Sequence, residues 1–256
     1  PQGINGGPPE YVDAPLPAAT IENGLPGATG FVPNNIDPDP STGVRARYFD
    51  VMLGAPGTTR LSSRGYEIDV LSVTGDARLV ITGRADLTVL GDFTQTGGIV
   101  DIDGRLTTGE ALMVDGLLRG RGVFDPTFFT VVSGTINPRG NNMGTFTVRG
   151  DVILSSGATT IFDIVRNRND RITVKGDADN PGYFIAGGTA NFRAGVGAAP
   201  RDGARYNIVS AERVIGEFDN VTGSIGVLNP VLTYDADAIR VTLEAGSMAD
   251  FIGVNA

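Results

Sequence analysis

"VLSVTGDARLVITGRADLTVLGD", residues 70–92, is built on a period of eight. Glycines stand at 75, 83 and 91. Leu71, Leu79 and Leu87 keep register with them, and so do Val73, Ile81 and Val89. Each unit presents two alternate aliphatic positions to one side and then turns at a glycine. A period of two is strand periodicity, and a fixed repeat of such units marks a repetitive β architecture. Two arrangements fit: a meander of tight hairpins, or successive strands of a coiling solenoid. Hairpin turns favour Asn-Gly or Asp-Gly, whereas the order here is Gly-Asp at 75–76, 91–92, 150–151 and 176–177, or Gly-Arg at 83–84. Gly-X serves a II′ hairpin, but it serves equally the corner of a β-helix, where positive φ bends the chain by less than a reversal. The repeat leans toward the solenoid.

Outward from this stretch the same texture continues through residues 97–140. Val100, Ile102, Leu106, Leu112, Val114, Leu117, Val123, Phe128 and Val131 are the inward candidates, and the aromatic cluster Phe124, Phe128 and Phe129 reads as core packing. Beyond Pro138 come Phe146, Val148, Val152, Leu154, Ile161, Phe162 and Ile164, then strands near 183–193, 205–211, 213–221 and 231–243. No stretch shows a 3.6-residue apolar stripe; only the tail "AGSMADFIGVNA", residues 245–256, has the look of a helix start. Residues 1–43 stand apart. They are crowded with Pro and Gly, which remove ladder donors and force extended or turning backbone, so an irregular linker or covering segment is expected there.

Composition removes whole classes of chemistry. The 256 residues contain no Cys and no His, which excludes disulfides, thiolate nucleophiles, His-ligated zinc and any Ser-His-Asp triad. Lys175 is the single Lys among 20 basic residues. The net charge of −9 argues against nucleic acid and against an anionic membrane surface, since binders of phosphate backbones show basic faces. No apolar run has the length of a membrane-spanning helix. The chain opens at Pro1 with neither Met nor leader, as a piece of a longer protein would.

Few constellations remain. Residues 177–182, "DADNPG", and 35–43, "NIDPDPSTG", superficially resemble calcium loops but lack the ligand spacing and the distal Glu that a calcium loop needs; Asp, Asn, Pro and Gly make turns. Asp101 and Asp103 share one face of a strand, as the paired carboxylates of some β-helix hydrolases do. With Val100 and Ile102 facing the core, a solvated outer face is the plainer account. No G-x-S-x-G elbow surrounds any serine, and Lys175 has no S-x-x-K partner. "GLLRGRG" ends in no Lys-Ser/Thr and precedes no helix, so it is no phosphate loop; Arg119 and Arg121 within it could read an anion or simply lie between corners. No catalytic, cofactor or metal site is expected, and the chain is not expected to be an enzyme.

One series of motifs carries a resemblance. "SGTINPRGNNMGTFTVRGDVILSSGATTIFDI" (133–164) followed by "NRNDRITVKGDA" (167–178) resembles the C-terminal passenger region of autotransporters, the type V secreted proteins of Gram-negative bacteria. Their line runs I-x-P-G, a spacer, G-T-x-T-V-x-G-D-x-x-L-x-x-G-A, a strand, and D-R-I-x-V-x-G. "GGTANFRAG" (187–195) and residues 203–246 are similar to the family's later and closing turns, and 92–122 to its stalk. The likeness spans 65–245; Arg139 and "NNM" at 141–143 depart from it in a turn. It implies an all-β, right-handed parallel β-helix of three short strands per coil. Residues 44–132 would be stalk rungs, 133–245 a C-terminal cap of the autochaperone type, and 246–256 a tail toward a helix and membrane β-barrel. The implied role is structural: a stalk that promotes folding and secretion and displays an effector lying upstream. The implied partners are that effector, the chain's own β-barrel and a host-cell or neighbouring-cell surface, the place the cell surface or the medium, and the state a monomer. A polysaccharide-degrading or glycan-binding β-helix, and an adhesin acting through a rung face, are the rival readings.

Overall fold

A computed structural model describes residues 41–43, 49–138, 143–176 and 181–246. Residues 51–256 form one compact unit and residues 1–50 another. The expected irregular segment 1–43, apart from a turn at 41–43, lies outside the described residues, as does the expected helix start beyond Gly246.

Every regular element among the described residues is a strand. In chain order they are β1 (Asp50–Leu53), β2 (Gly57–Leu61), β3 (Tyr66–Ile68), β4 (Val70–Val73), β5 (Ala77–Ile81), β6 (Asp86–Val89) and β7 (Phe93–Ile102). Three long ones follow: β8 (Arg105–Gly120), β9 (Val123–Pro138) and, after β10 (Thr145–Arg149), β11 (Asp151–Val165). The remainder are β12 (Arg168–Asn169), β13 (Arg171–Lys175), β14 (Tyr183–Ile185), β15 (Thr189–Ala194), β16 (Arg205–Ser210), β17 (Arg213–Ile215), β18 (Asn220–Gly223), β19 (Leu228–Tyr234) and β20 (Ala238–Ala245).

The solenoid reading of the eight-residue repeat is correct. Successive strands of residues 70–92 do not pair with each other; each pairs in parallel with the strand one coil later. Leu71 lies on Phe93, Leu79 on Val100 and Leu87 on Leu106. The period of eight is therefore one strand per face. Three parallel sheets result. Sheet A stacks β2, β5 and the far ends of β7, β8 and β9, then β11, β15 and β18. Sheet B stacks β3, β6, the starts of β8 and β9, then β10, β13 and β16. Sheet C stacks β4, the start of β7, the middles of β8 and β9, the start of β11, then β14 and β17. This is a parallel β-helix with three strands per coil, and crossovers between parallel strands take the right-handed path. Coils are 18 residues apart at Asp101–Arg119, 30 at Asp163–Arg193 and 31 at Asn191–Thr222. The β9 strand crosses 132/133 without a break.

The interior is a set of aliphatic and phenylalanine ladders. Leu71, Leu79, Leu87, Val73, Ile81 and Val89 are all buried, as are Phe146, Val148, Val152 and Leu154. Each such side chain contributes about 1.5–3 kcal/mol by leaving water. β-Branched and aromatic residues fit this pleated, half-buried surface well.

Part of the inward set expected for 97–131 needs correction. Leu112, Val114 and Phe128 point outward and are exposed, and Leu117 and Val123 are half-exposed. Their neighbours Ala111, Met113, Phe129, Leu118 and Phe124 take the interior. The run Ala111–Leu112–Met113–Val114 is apolar at every position, so its alternation has two equally good phases. Gly116, at φ +107, then resets the register at the corner between sheets C and A. A one-residue ambiguity of that kind turns a whole strand over.

The two ends differ. At the C-terminal end β19 and β20 form an antiparallel hairpin, and β20 lies antiparallel on β16, burying Ile239, Val241 and Leu243. The single strand expected over 231–243 is thus a hairpin, reversed at residues 235–237. At the other end the inward positions Thr59 and Tyr66 are exposed.

Candidate functional site

Asp101 sits on β7 with both carboxylate oxygens engaged. Arg78 Nε donates to Oδ2 at 2.7 Å, Arg119 Nε to Oδ1, and a second Arg119 nitrogen to Oδ2 at 3.3 Å. The neighbouring coil corner repeats the pattern more loosely, with Arg121 Nε 3.7 Å from Asp103 and its backbone N–H donating to the same carboxylate at 3.3 Å. Arg105 reaches Asp125 at 2.6 Å. Charges alternate from rung to rung, as cross-strand neighbours on an outer face should. A general acid or base needs an oxygen free to reach a substrate. Both oxygens of Asp101 are already engaged, and the two arginines that might have read an anion are bonded to Asp101 and Asp103. The carboxylate pair and the Arg-Gly-Arg of 119–121 therefore form two separate ties between coils, Arg78–Asp101–Arg119 and Asp103–Arg121. Exposed pairs like these are individually worth about 0–1 kcal/mol.

Lys175 ends β13, exposed, with Arg149 beside it on the preceding rung. Asp177–Asn180 and Asn35–Pro40 of the two turn-like segments lie outside the described residues.

A second network, in the turn that closes β11, buries two carboxyl groups. Asp170 is fully buried; its carboxylate accepts from Gly144 N at 2.8 Å and from Asp163 N at 3.1 Å. Asp170 N in turn donates to Asp163 O, and Arg171 N to Gly144 O. Asp163, also buried, takes a two-pronged bond from Arg193 one coil later, at 2.9 and 3.1 Å. Asn169 Nδ2 extends the set to Asn207 O at 2.7 Å. One side chain thus joins the entry to β10, the end of β11 and, through Asp163, β15. Sequence reading passed over both aspartates, although Asp163 between Phe162 and Ile164 is an acid inside an apolar strand, the kind of position that needs a partner.

Burial pushes the Asp170 carboxyl up from 3.8 to about 7, against the two backbone donors and Arg193, with the Asp163 charge adding to the rise. The sign follows from linkage. Between about pH 4 and 7 the folded chain holds this proton and the unfolded chain does not, so the contribution is complete below pH 4 and is lost as pH rises through 7. We expect the unfolding free energy of the wild-type chain to fall between pH 5 and pH 8 relative to Asp170→Asn, by no more than about 3 kcal/mol. Parallel denaturant titrations of the two proteins measure it; identical pH profiles would show that Asp170 does not titrate in this window.

No protein-family model matches the chain, and no curated protein matches it in sequence.

Proposed function

We propose that this chain is a C-terminal β-helical stalk of an autotransporter passenger, working at the surface of a Gram-negative bacterium or released from it, and that its last coils are the folding cap. Its partners on this reading are an effector upstream and a membrane β-barrel downstream. The observation that supports the reading is the inequality of the two ends. The C-terminal end is closed by the β19–β20 hairpin and keyed by Asp170. At the other end, β2 and β3 pair only with β5 and β6 among the described residues, and their inward positions are half covered: Thr59 and Tyr66 are exposed, while Leu61 and Ile68 are partly buried. A solenoid's stability is approximately a sum of rung and nearest-neighbour terms, so folding spreads from whichever end is stable alone. A closed C-terminal end suits a chain that folds from its last-synthesised coils as it emerges, and freedom from cysteine suits passage through a pore unfolded.

Refolding of fragments tests this. Residues 133–245 are expected to regain β structure in one cooperative transition, and residues 51–132 to regain it only when joined to them. A non-cooperative 133–245 fragment would remove the folding-cap role.

A further inference from the structure

The residues whose phase was ambiguous in sequence form an outward stripe on sheet C. Down one column run Leu112, Thr130, Ile153, Ile185 and Ile215, each on the next coil. Beside it run Glu110, Phe128, Asp151, Tyr183 and Arg213, with Tyr183 N donating to Asp151 Oδ1. Leu112, Phe128 and Ile215 are each more than a third exposed, and Ile153 and Ile185 are half-buried. Charge stands only at the two extremes of the exposed stripe, Glu110 at one and Arg213 at the other, since Asp151 is buried. Both end residues are exposed, and neither forms an ion pair with a described residue.

We propose that this face pairs two copies of the chain, antiparallel, about a two-fold axis running along β11 at Ile153. Such an axis keeps the position along each strand and inverts the order of the coils. Glu110 of one copy then meets Arg213 of the second, and does so twice. Phe128 meets Tyr183, Leu112 meets Ile215, Thr130 meets Ile185, and Ile153 meets its own equivalent. Asp151 stays beneath the contact. A two-fold along the solenoid axis instead keeps every rung opposite its own equivalent, so Glu110 and Arg213 stay four rungs apart and never meet, and the charges favour the antiparallel pair. An isologous contact of this kind closes on itself and does not grow into fibres.

The face is small. Five rungs at about 4.8 Å spacing and two or three outward residues per rung give a few hundred Å² per copy, below the ~800 Å² of a standard interface. Pairing is therefore weak between free molecules and effective where copies are held side by side, as tethered modules are. This goes beyond the stalk reading and holds whether or not an effector lies upstream.

The experiment uses residues 1–256, followed by sedimentation and small-angle scattering from about 0.1 to 1 mM, the range in which a weak pair becomes populated. Glu110→Arg and Arg213→Glu are each expected to weaken association about tenfold, and the double exchange Glu110→Arg/Arg213→Glu to restore it, because reversed charges meet again. The chain has no cysteine, so Ile153→Cys with a bismaleimide of about 10 Å reach, the usual distance between packed sheets, should link copy to copy while Ser72→Cys on a distant rung should not. Absence of association over the whole range, or a double exchange that pairs no better than its single parents, overturns the proposal.

Discussion

Gly150→Ala is expected to cost about 4 kcal/mol or more and to leave the coils after β10 unfolded at room temperature. Gly150 sits at the corner between β10 and β11 with φ +120, and a Cβ there would lie 1.9 Å from the carbonyl oxygen of Pro126. That oxygen belongs to the backbone of the coil beneath, so no rotamer change relieves the overlap. The coils must part locally, which breaks the bond from Gly150 N to Lys175 O and the register of Asp151 on Phe128. Gly203→Ala is the control. Gly203 has φ +73 but open space where a Cβ would go, so it bears only the left-handed strain of about 1–2 kcal/mol. Guanidinium titration of both variants measures the difference. Equal midpoints would mean that the corner yields freely and that contact between stacked backbones does not limit these turns.

The second large effect is expected at Phe124. Its ring is fully buried, 5.0 Å from Phe129, 6.0 Å from Phe93 and 6.4 Å from Phe146 by centroid. Those partners come from β7, β9 and β10, so the ring is shared by successive coils. Phe124→Ala removes it from a stack that cannot collapse, because rung spacing is held by the ladder bonds on either side. A loss of about 3–5 kcal/mol follows. Phe128→Ala, four residues along but outward and exposed, should change stability by less than about 0.5 kcal/mol. Thermal or denaturant unfolding in dilute solution separates the two. A Phe128 effect as large as that of Phe124 would place Phe128 in the core after all.

This contrast also marks where the sequence was legible. In residues 70–92 apolar and polar positions alternate cleanly, so phase and repeat could both be read. In 111–118 and 128–129 apolar residues are adjacent, and pattern alone cannot say which of two neighbours goes in. The corners decide it, through a glycine such as Gly116 whose backbone conformation is set by the coil below. Asp101 was read as one of a solvated pair, and its outward placement was right. Its bonds to Arg78 and Arg119 were beyond reach, because those residues lie 23 and 18 positions away and meet it only once the coil length is known. Asp170 was missed for the same reason: its partners Gly144 and Asp163 come from two other segments of the chain.

The eighteen-residue coils between β7 and β9 have a consequence for how such a chain can change length. Almost every residue there is either a strand position or a corner, so a single insertion or deletion would invert the facing of all that follows it until the next corner. A whole coil, added or removed, leaves every ladder in phase and moves one end by about 4.8 Å. The body is therefore a ruler with graduations, adjustable in fixed steps and intolerant of fractions of one. The longer C-terminal coils, with thirty or so residues to a turn, have slack in their connections, and it is there that small changes of length can be absorbed without moving the marks.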